Sequence, residues 1–124
     1  MKKCIDVLSL PKAGPYSHAV CGAGLVFVSG NLPINAKTGE KIKGDIPRAT
    51  KLILENIETT LKEAGSSLEK IVKTTIFLTD MGKFAEMNGA YGEVFGENPP
   101  ARSCVGVREL PAGFDIEIEV VALT

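Results

Sequence analysis

Two charged side chains near the C-terminal end of this 124-residue chain could do chemistry. Arg102 stands in Pro100-Ala101-Arg102-Ser103-Cys104-Val105-Gly106-Val107, and Glu117 in Ile116-Glu117-Ile118-Glu119-Val120. Both stretches read as β-strands, and both put charge where a half-buried strand ordinarily carries an apolar side chain. The arginine fork is always ionised and matches a carboxylate in shape. A carboxylate on a largely buried strand can move a proton or orient water. An anion holder beside a proton handler is the minimum equipment for chemistry on a small acid.

Each of these side chains also has a plainer structural reading. In the strand expected over residues 101–107, Arg102, Cys104 and Gly106 share one face, and Ser103, Val105 and Val107 the other. With the valine face taken as core, Arg102 and Cys104 point away from it. Arg102 is then either a bidentate clamp on a substrate carboxylate or half of an ion pair with Glu117 or Glu119. Glu119 has the parity of Glu117, so alternation does not choose between the two. Cys104, two residues from Arg102, could be held as a thiolate, but without a nearby histidine it fits better as a wall residue or backbone N–H donor. Ser29-Gly30-Asn31 follows directly on a strand, where glycine permits close backbone approach to a ligand; a simple strand-ending turn is the preferred reading from the residues alone. Gly14-Pro15-Tyr16 is a rigid turn presenting an aromatic that could stack on a ligand or simply pack as a lid. Asn88 interrupts an apolar helical stripe, where it either caps a backbone group in the core or reaches a site; the structural role is the preferred reading.

The elements that must position these residues follow from pattern and punctuation. Residues 17–21 and 25–29, joined by Gly22-Ala23-Gly24, predict a hairpin with a three-residue loop. Residues 30–44 read as loop. A first helix is expected after Asp45 as N-cap, with Pro47 in the first turn and Gly65 as left-handed terminator. Its buried stripe is Ala49, Leu52, Ile53, Ile57, Thr60, Leu61 and Ala64. The β-branched run 71–79 predicts a strand. Asp80 is expected to cap a second helix with apolar face Phe84, Met87, Tyr91 and Phe95, whose Gly82, Gly89 and Gly92 lower its stability for close packing or fraying. Asn98-Pro99-Pro100 ends that helix, and Leu110-Pro111-Ala112-Gly113 turns the chain into a last strand over 114–122. Strands, helix, strand, helix, strands make an α+β domain spanning residues 1–124. Two helices cover one face of a sheet of five or six strands. The other face, with Glu117, Glu119 and Val121, must meet water or another copy.

Composition excludes several functional classes. A net charge of −1, from 14 basic and 15 acidic residues, leaves no electrostatic footprint for nucleic acid. No apolar stretch approaches the ~20 residues needed to span a bilayer. Three cysteines without C-x-x-C spacing and a single His18 leave no disulfide framework and no metal site, and the expected setting is the cytoplasm. No phosphate loop, dinucleotide fingerprint or Ser-His-Asp order is present, so no cofactor is expected.

As a set, Gly14-Pro15-Tyr16-Ser17, Val26-Phe27-Val28-Ser29-Gly30, Leu54-Glu55-Asn56-Ile57, Val72-Lys73-Thr74-Thr75, residues 100–105 and Ile116-Glu117-Ile118-Glu119 closely resemble the reactive intermediate deaminase family (Rid, also called YjgF), in the family's order from about Pro11 onward. The resemblance implies a chorismate-mutase-like α+β fold, assembled as a homotrimer with the sheets forming a central barrel and sites between subunits. It implies cofactor-independent hydrolysis of 2-imino acids and enamines such as 2-aminoacrylate to 2-keto acids and ammonia. Arg102 would hold the carboxylate, and Glu117 rather than Glu119 would position water. The backbones of Gly30 and Cys104 would touch the ligand, with Tyr16 and Ser29 nearby. Asn31 and Ala49 depart from the glutamines common in the family. The alternatives are a trimeric carboxylate-binding module without turnover, and a chaperone-like or translation-inhibiting interaction protein.

Overall fold

The computed structural model describes residues 1–124. Six strands and two helices follow in the order β1 (Lys3–Ile5), β2 (Ala19–Gly22), β3 (Leu25–Asn31), α1 (Ile46–Glu63), β4 (Ile71–Leu78), α2 (Phe84–Phe95), β5 (Ala101–Gly106) and β6 (Ile116–Leu123). The strands form one mixed sheet in the order β1-β2-β3-β6-β4-β5. Only the β4–β5 pair is parallel; α2 is the crossover that such a pair requires. The α+β class expected from the element order is the class observed.

α1 forms where its caps and stripe place it. The Asp45 side chain accepts from the Arg48 backbone N–H, Pro47 sits in the first turn, and Ile53, Leu54, Ile57 and Leu61 are at most 1% exposed. At the other end the Gly65 N–H donates to the Lys62 carbonyl and the Ser66 N–H to that of Leu61, the paired closure expected when a left-handed residue follows a helix. Leu52 and Ala64, placed on the buried stripe by spacing, are only partly buried.

Several boundaries differ from the expectation. The β2–β3 hairpin pairs Gly22 with Leu25, so its loop is Ala23-Gly24 rather than three residues. Both loop residues are left-handed (φ 53° and 77°), the backbone that matches strand twist in a two-residue hairpin. Strand β1 was not expected; its Lys3-Cys4-Ile5 is too short and too mixed to announce itself. Asp80 caps not α2 but a 3-10 turn over Met81–Lys83, accepting from the Gly82 N–H at 2.8 Å, and α2 follows directly. A Cβ at Gly89 or Gly92 would meet nothing within 4 Å, so neither glycine serves close packing in this chain.

Both helices lie on one face of the sheet. Val26 and Val28 of β3, Ile76 and Leu78 of β4, and Ile116, Ile118 and Val120 of β6 point at them and are at most 4% exposed. The opposite face carries Phe27, Lys73, Thr75, Phe77, Glu117, Glu119 and Val121, all exposed or half-buried. Phe27 is 49% exposed and Leu123 48%. This open face, mixed in charge and apolar surface, is the one the strand alternation left without a cover.

Candidate active site

β5 is an edge strand, and its parity is the reverse of the expected one. Cys104 packs against the core cluster and Arg102 turns toward α2, whereas Val105 is 42% exposed. The valines did not mark the core because the sheet edge is covered by helix α2 on one side and by nothing on the other. In register, Arg102 lies beside Thr74 and Thr74 beside Val120, all on the helix face. Glu117 lies beside Phe77 and Phe77 beside Val105, all on the open face. Arg102 and Glu117 therefore occupy opposite faces of one sheet and form no pair within the chain.

Arg102 is held without any acidic partner. Its Nη1 donates to Asn88 Oδ1 at 2.8 Å. Its guanidinium carbon lies 5.0 Å from the centre of the Tyr91 ring and 5.5 Å from that of Phe84. None of the chain's ion pairs involves it. The alternative of a salt bridge with Glu117 or Glu119 is thus absent in the chain, and the rest of the guanidinium fork is unclaimed. Asn88, read from sequence as a structural interruption of the α2 stripe, instead reaches the arginine. Phe84, Asn88 and Tyr91, spaced by four and three along one helix face, were visible as a stripe; their common object was not.

The second half of the site is built where β3 bulges against β6. Val28 pairs with Val120 and Asn31 with Ile118, so Ser29 and Gly30 together oppose Glu119. Such a bulge bends the strand and re-aims its backbone. Ser29 Oγ donates to the Ser17 carbonyl at 2.7 Å, and Asn31 Nδ2 to the Ser29 carbonyl at 2.9 Å. The Glu117 carboxylate rests against Gly30: a Cβ there would lie 2.9 Å from both Cδ and Oε2. Glycine permits close approach at this point, and what approaches is the carboxylate. A cavity of about 530 Å³ opens beside it, lined by Tyr16, Ser29, Gly30, Leu32, Phe77 and the two glutamates among others. Tyr16, 41% exposed, accepts the Ala13 N–H on its hydroxyl at 3.2 Å. Tyr16, Ser29, Gly30 and Glu117 thus share one cavity, while Arg102 and Cys104 do not line it.

Electrostatics separates the titratable groups. Burial, and then the like charge of Glu119, push the Glu117 carboxyl above its ordinary range. Burial raises the Cys104 thiol despite the neighbouring Arg102, which opposes a thiolate nucleophile. His18 is fully employed: Nδ1 accepts the Val7 N–H at 2.9 Å and Nε2 bonds the Pro11 carbonyl at 3.0 Å. No three His, Cys, Asp or Glu side chains cluster to hold a metal ion. No helix is long and apolar enough to cross a membrane.

A six-stranded mixed sheet with two helices on one face and, on the other, a cavity of mixed polar and apolar lining at a β-bulge defines a small α+β domain. Residues 8–124 match the family model described as Endoribonuclease L-PSP. The chain is 47% identical over 123 residues to a RutC family protein of Pyrococcus horikoshii, covering 98% of both chains. Its fold superposes on a conserved Rid family protein from Yersinia pestis with a TM-score of 0.94 at 43% identity, covering 100% of each chain. E. coli TdcF, solved with bound serine, matches with a TM-score of 0.91 at 38% identity over 98% of each chain. The chain belongs to the reactive intermediate deaminase (Rid/YjgF) family.

Proposed function

We propose that this chain hydrolyses 2-imino acids and their enamine tautomers, such as 2-aminoacrylate, to 2-keto acids and ammonia, without a cofactor. The observation that carries the reading is the unpaired arginine fork, braced by Asn88 and set on the opposite sheet face from a carboxylate whose proton affinity is raised. Such a pair meets only when two copies assemble, with Arg102 of one subunit closing the cavity of the next. A homotrimer around the open sheet faces, as the family resemblance implies, satisfies this requirement.

In the proposed reaction Arg102 grips the substrate carboxylate bidentately. The enamine takes a proton from solvent at its terminal carbon, its C=C electron pair forming the new C–H bond, and becomes an iminium, which is electrophilic enough for water to attack without a metal. Glu117 accepts the proton that water loses as the new C–O bond forms. It returns that proton to the nitrogen of the resulting carbinolamine. The C–N bond then breaks, its electron pair leaving with ammonia while the hydroxyl proton is released and the carbonyl forms. A base whose pKa is raised toward the working pH suits both transfers. The backbones of Gly30 and Cys104, with Tyr16 and Ser29, complete the ligand contacts. The cytoplasm, where amino-acid dehydratases would produce such intermediates, is the proposed setting.

In a coupled assay a PLP-dependent dehydratase generates 2-aminoacrylate and keto-acid release is followed. The wild type is expected to accelerate release, and Arg102→Ala to abolish the gain; an Arg102→Ala rate equal to wild type refutes the reading. A second reading, binding of a small amino or keto acid without turnover, is favoured by the serine bound to TdcF. It is supported by calorimetric binding in the absence of any acceleration. The ribonuclease activity in the family model's description is a weaker candidate here, since the only histidine is engaged at both ring nitrogens.

A further inference from the structure

We propose that Tyr91 is the positioning residue of the carboxylate clamp: its ring face is the platform that sets the plane of the Arg102 guanidinium. The inference rests on the proposed role of Arg102 as the carboxylate holder and adds the residue that orients it. A bidentate arginine–carboxylate pair works only when the fork lies in the plane of its ligand, and a long arginine side chain on an edge strand has many rotamers to lose. Sites of this kind need orientation held to within about 10–20° by groups that are themselves locked.

Tyr91 is locked at both ends. It is 5% exposed, and its hydroxyl lies 2.8 Å from Thr74 Oγ1. Thr74 is fully buried and is the residue paired with Arg102 across the β4–β5 register. The strand that carries the arginine's backbone neighbour thus also carries the anchor of the ring beneath it. The ring also meets Phe95, with centroids 4.5 Å apart. Asn88 fixes one corner of the fork at Nη1, and a single hydrogen bond leaves rotation about that corner free. The Tyr91 face, 5.0 Å from the guanidinium carbon, removes that rotation by cation–π attraction. Phe84, 5.5 Å away, is 37% exposed and is the looser wall.

The chain has three arginines, Arg48, Arg102 and Arg108, so the guanidinium ¹⁵N–¹H spectrum reports this orientation directly. Arg48 faces Glu40 and Arg108 is exposed, and neither sits over a ring. In the wild type the Arg102 Nε–H signal is expected to be ring-shifted away from the other two. Tyr91→Phe loses the Thr74 anchor but keeps the ring face and its Phe95 contact, so most of that shift should remain, with the Kd for 2-oxobutyrate raised by no more than about two-fold. Tyr91→Leu should move the signal onto the other two and raise Kd roughly ten-fold. Pentafluorophenylalanine at position 91, which keeps the shape and reverses the ring's quadrupole, should act like leucine and serves if Tyr91→Leu does not fold. Phe95→Leu, which removes one of the two locks on the ring without touching Arg102, should lower Tm and change signal and Kd by less than Tyr91→Leu does. The proposal is overturned if the signal and Kd survive both the leucine and the fluorinated ring. If the substitutions move the signal but 2-oxobutyrate perturbs no Arg102 resonance in the wild type, the platform stands and the proposed function falls.

Discussion

Replacing Gly30 by alanine isolates the contact between the β3 bulge and the Glu117 carboxylate. The new Cβ would stand 2.9 Å from Cδ and Oε2 and 3.3 Å from Cγ of Glu117. Ordinary carbon contacts lie at about 3.5–4.0 Å, so the carboxylate must withdraw by roughly 0.5–1 Å. It sits at the far end of a flexible side chain, and an off-rotamer torsion costs about 0.5–1.5 kcal/mol. Losing a glycine from the unfolded chain returns about 0.4–1 kcal/mol. Stability therefore changes by less than about 1 kcal/mol in either direction, a Tm shift of at most ~5 °C for a chain of this size. Catalysis is less forgiving, because a misplacement of about 1 Å costs on the order of 100-fold. Keto-acid release in the coupled assay should fall by about that factor while the melting curve barely moves. A fully active Gly30→Ala variant would refute the placement of Glu117 as the proton handler. A variant that fails to fold would refute the claim that only a flexible side chain must yield.

Glu117→Gln should reduce turnover by about 10²–10⁴-fold. It should also raise Tm at neutral pH, because the folded state penalises the ionised carboxylate through burial and Glu119. That penalty is fully present above the raised folded pKa and fades as pH falls toward the unfolded value; the Tm gap between variant and wild type should therefore close in acid. Glu119→Gln removes the like charge, so the acid limb of the kcat/KM–pH profile should move to lower pH. Asn88→Ala leaves the Arg102 guanidinium without its one acceptor; KM for the imino acid should rise by about ten-fold, the scale of a hydrogen bond to a charged group, with kcat changed less.

The fold was largely legible because its signals are local. Asp45, Pro47 and Gly65 bound α1, the stripe at Ile53, Ile57 and Leu61 points it at the sheet, and the alternation Ile116-Glu117-Ile118 assigns both faces of β6. The face of Arg102 was misread because two valines in an edge strand carry no information about which side a distant helix covers. The role of Asn88 was missed for a related reason: a polar residue at stripe spacing announces an exception, but only tertiary packing shows that Arg102 is its partner. The bulge at Ser29-Gly30 depends on β3–β6 pairing between residues far apart in the chain, which no local pattern encodes. Glycine between Ser29 and Asn31 was the one signal available, and it pointed to close approach without naming Glu117. The separation of Arg102 and Glu117 onto opposite faces follows from register alone.

That separation makes subunit complementation the most direct test of the account. Arg102→Ala and Glu117→Ala chains are each expected to be inactive in the 2-aminoacrylate assay. Unfolded, mixed in equal amounts and reassembled, they should form oligomers in which some sites take an intact Arg102 from one copy and an intact Glu117 from its neighbour. With random assembly around a closed ring, roughly one quarter of sites are complete, and activity should return to about that fraction of wild type. A mixture that demonstrably co-assembles yet stays as inactive as its parents would contradict a site shared between copies.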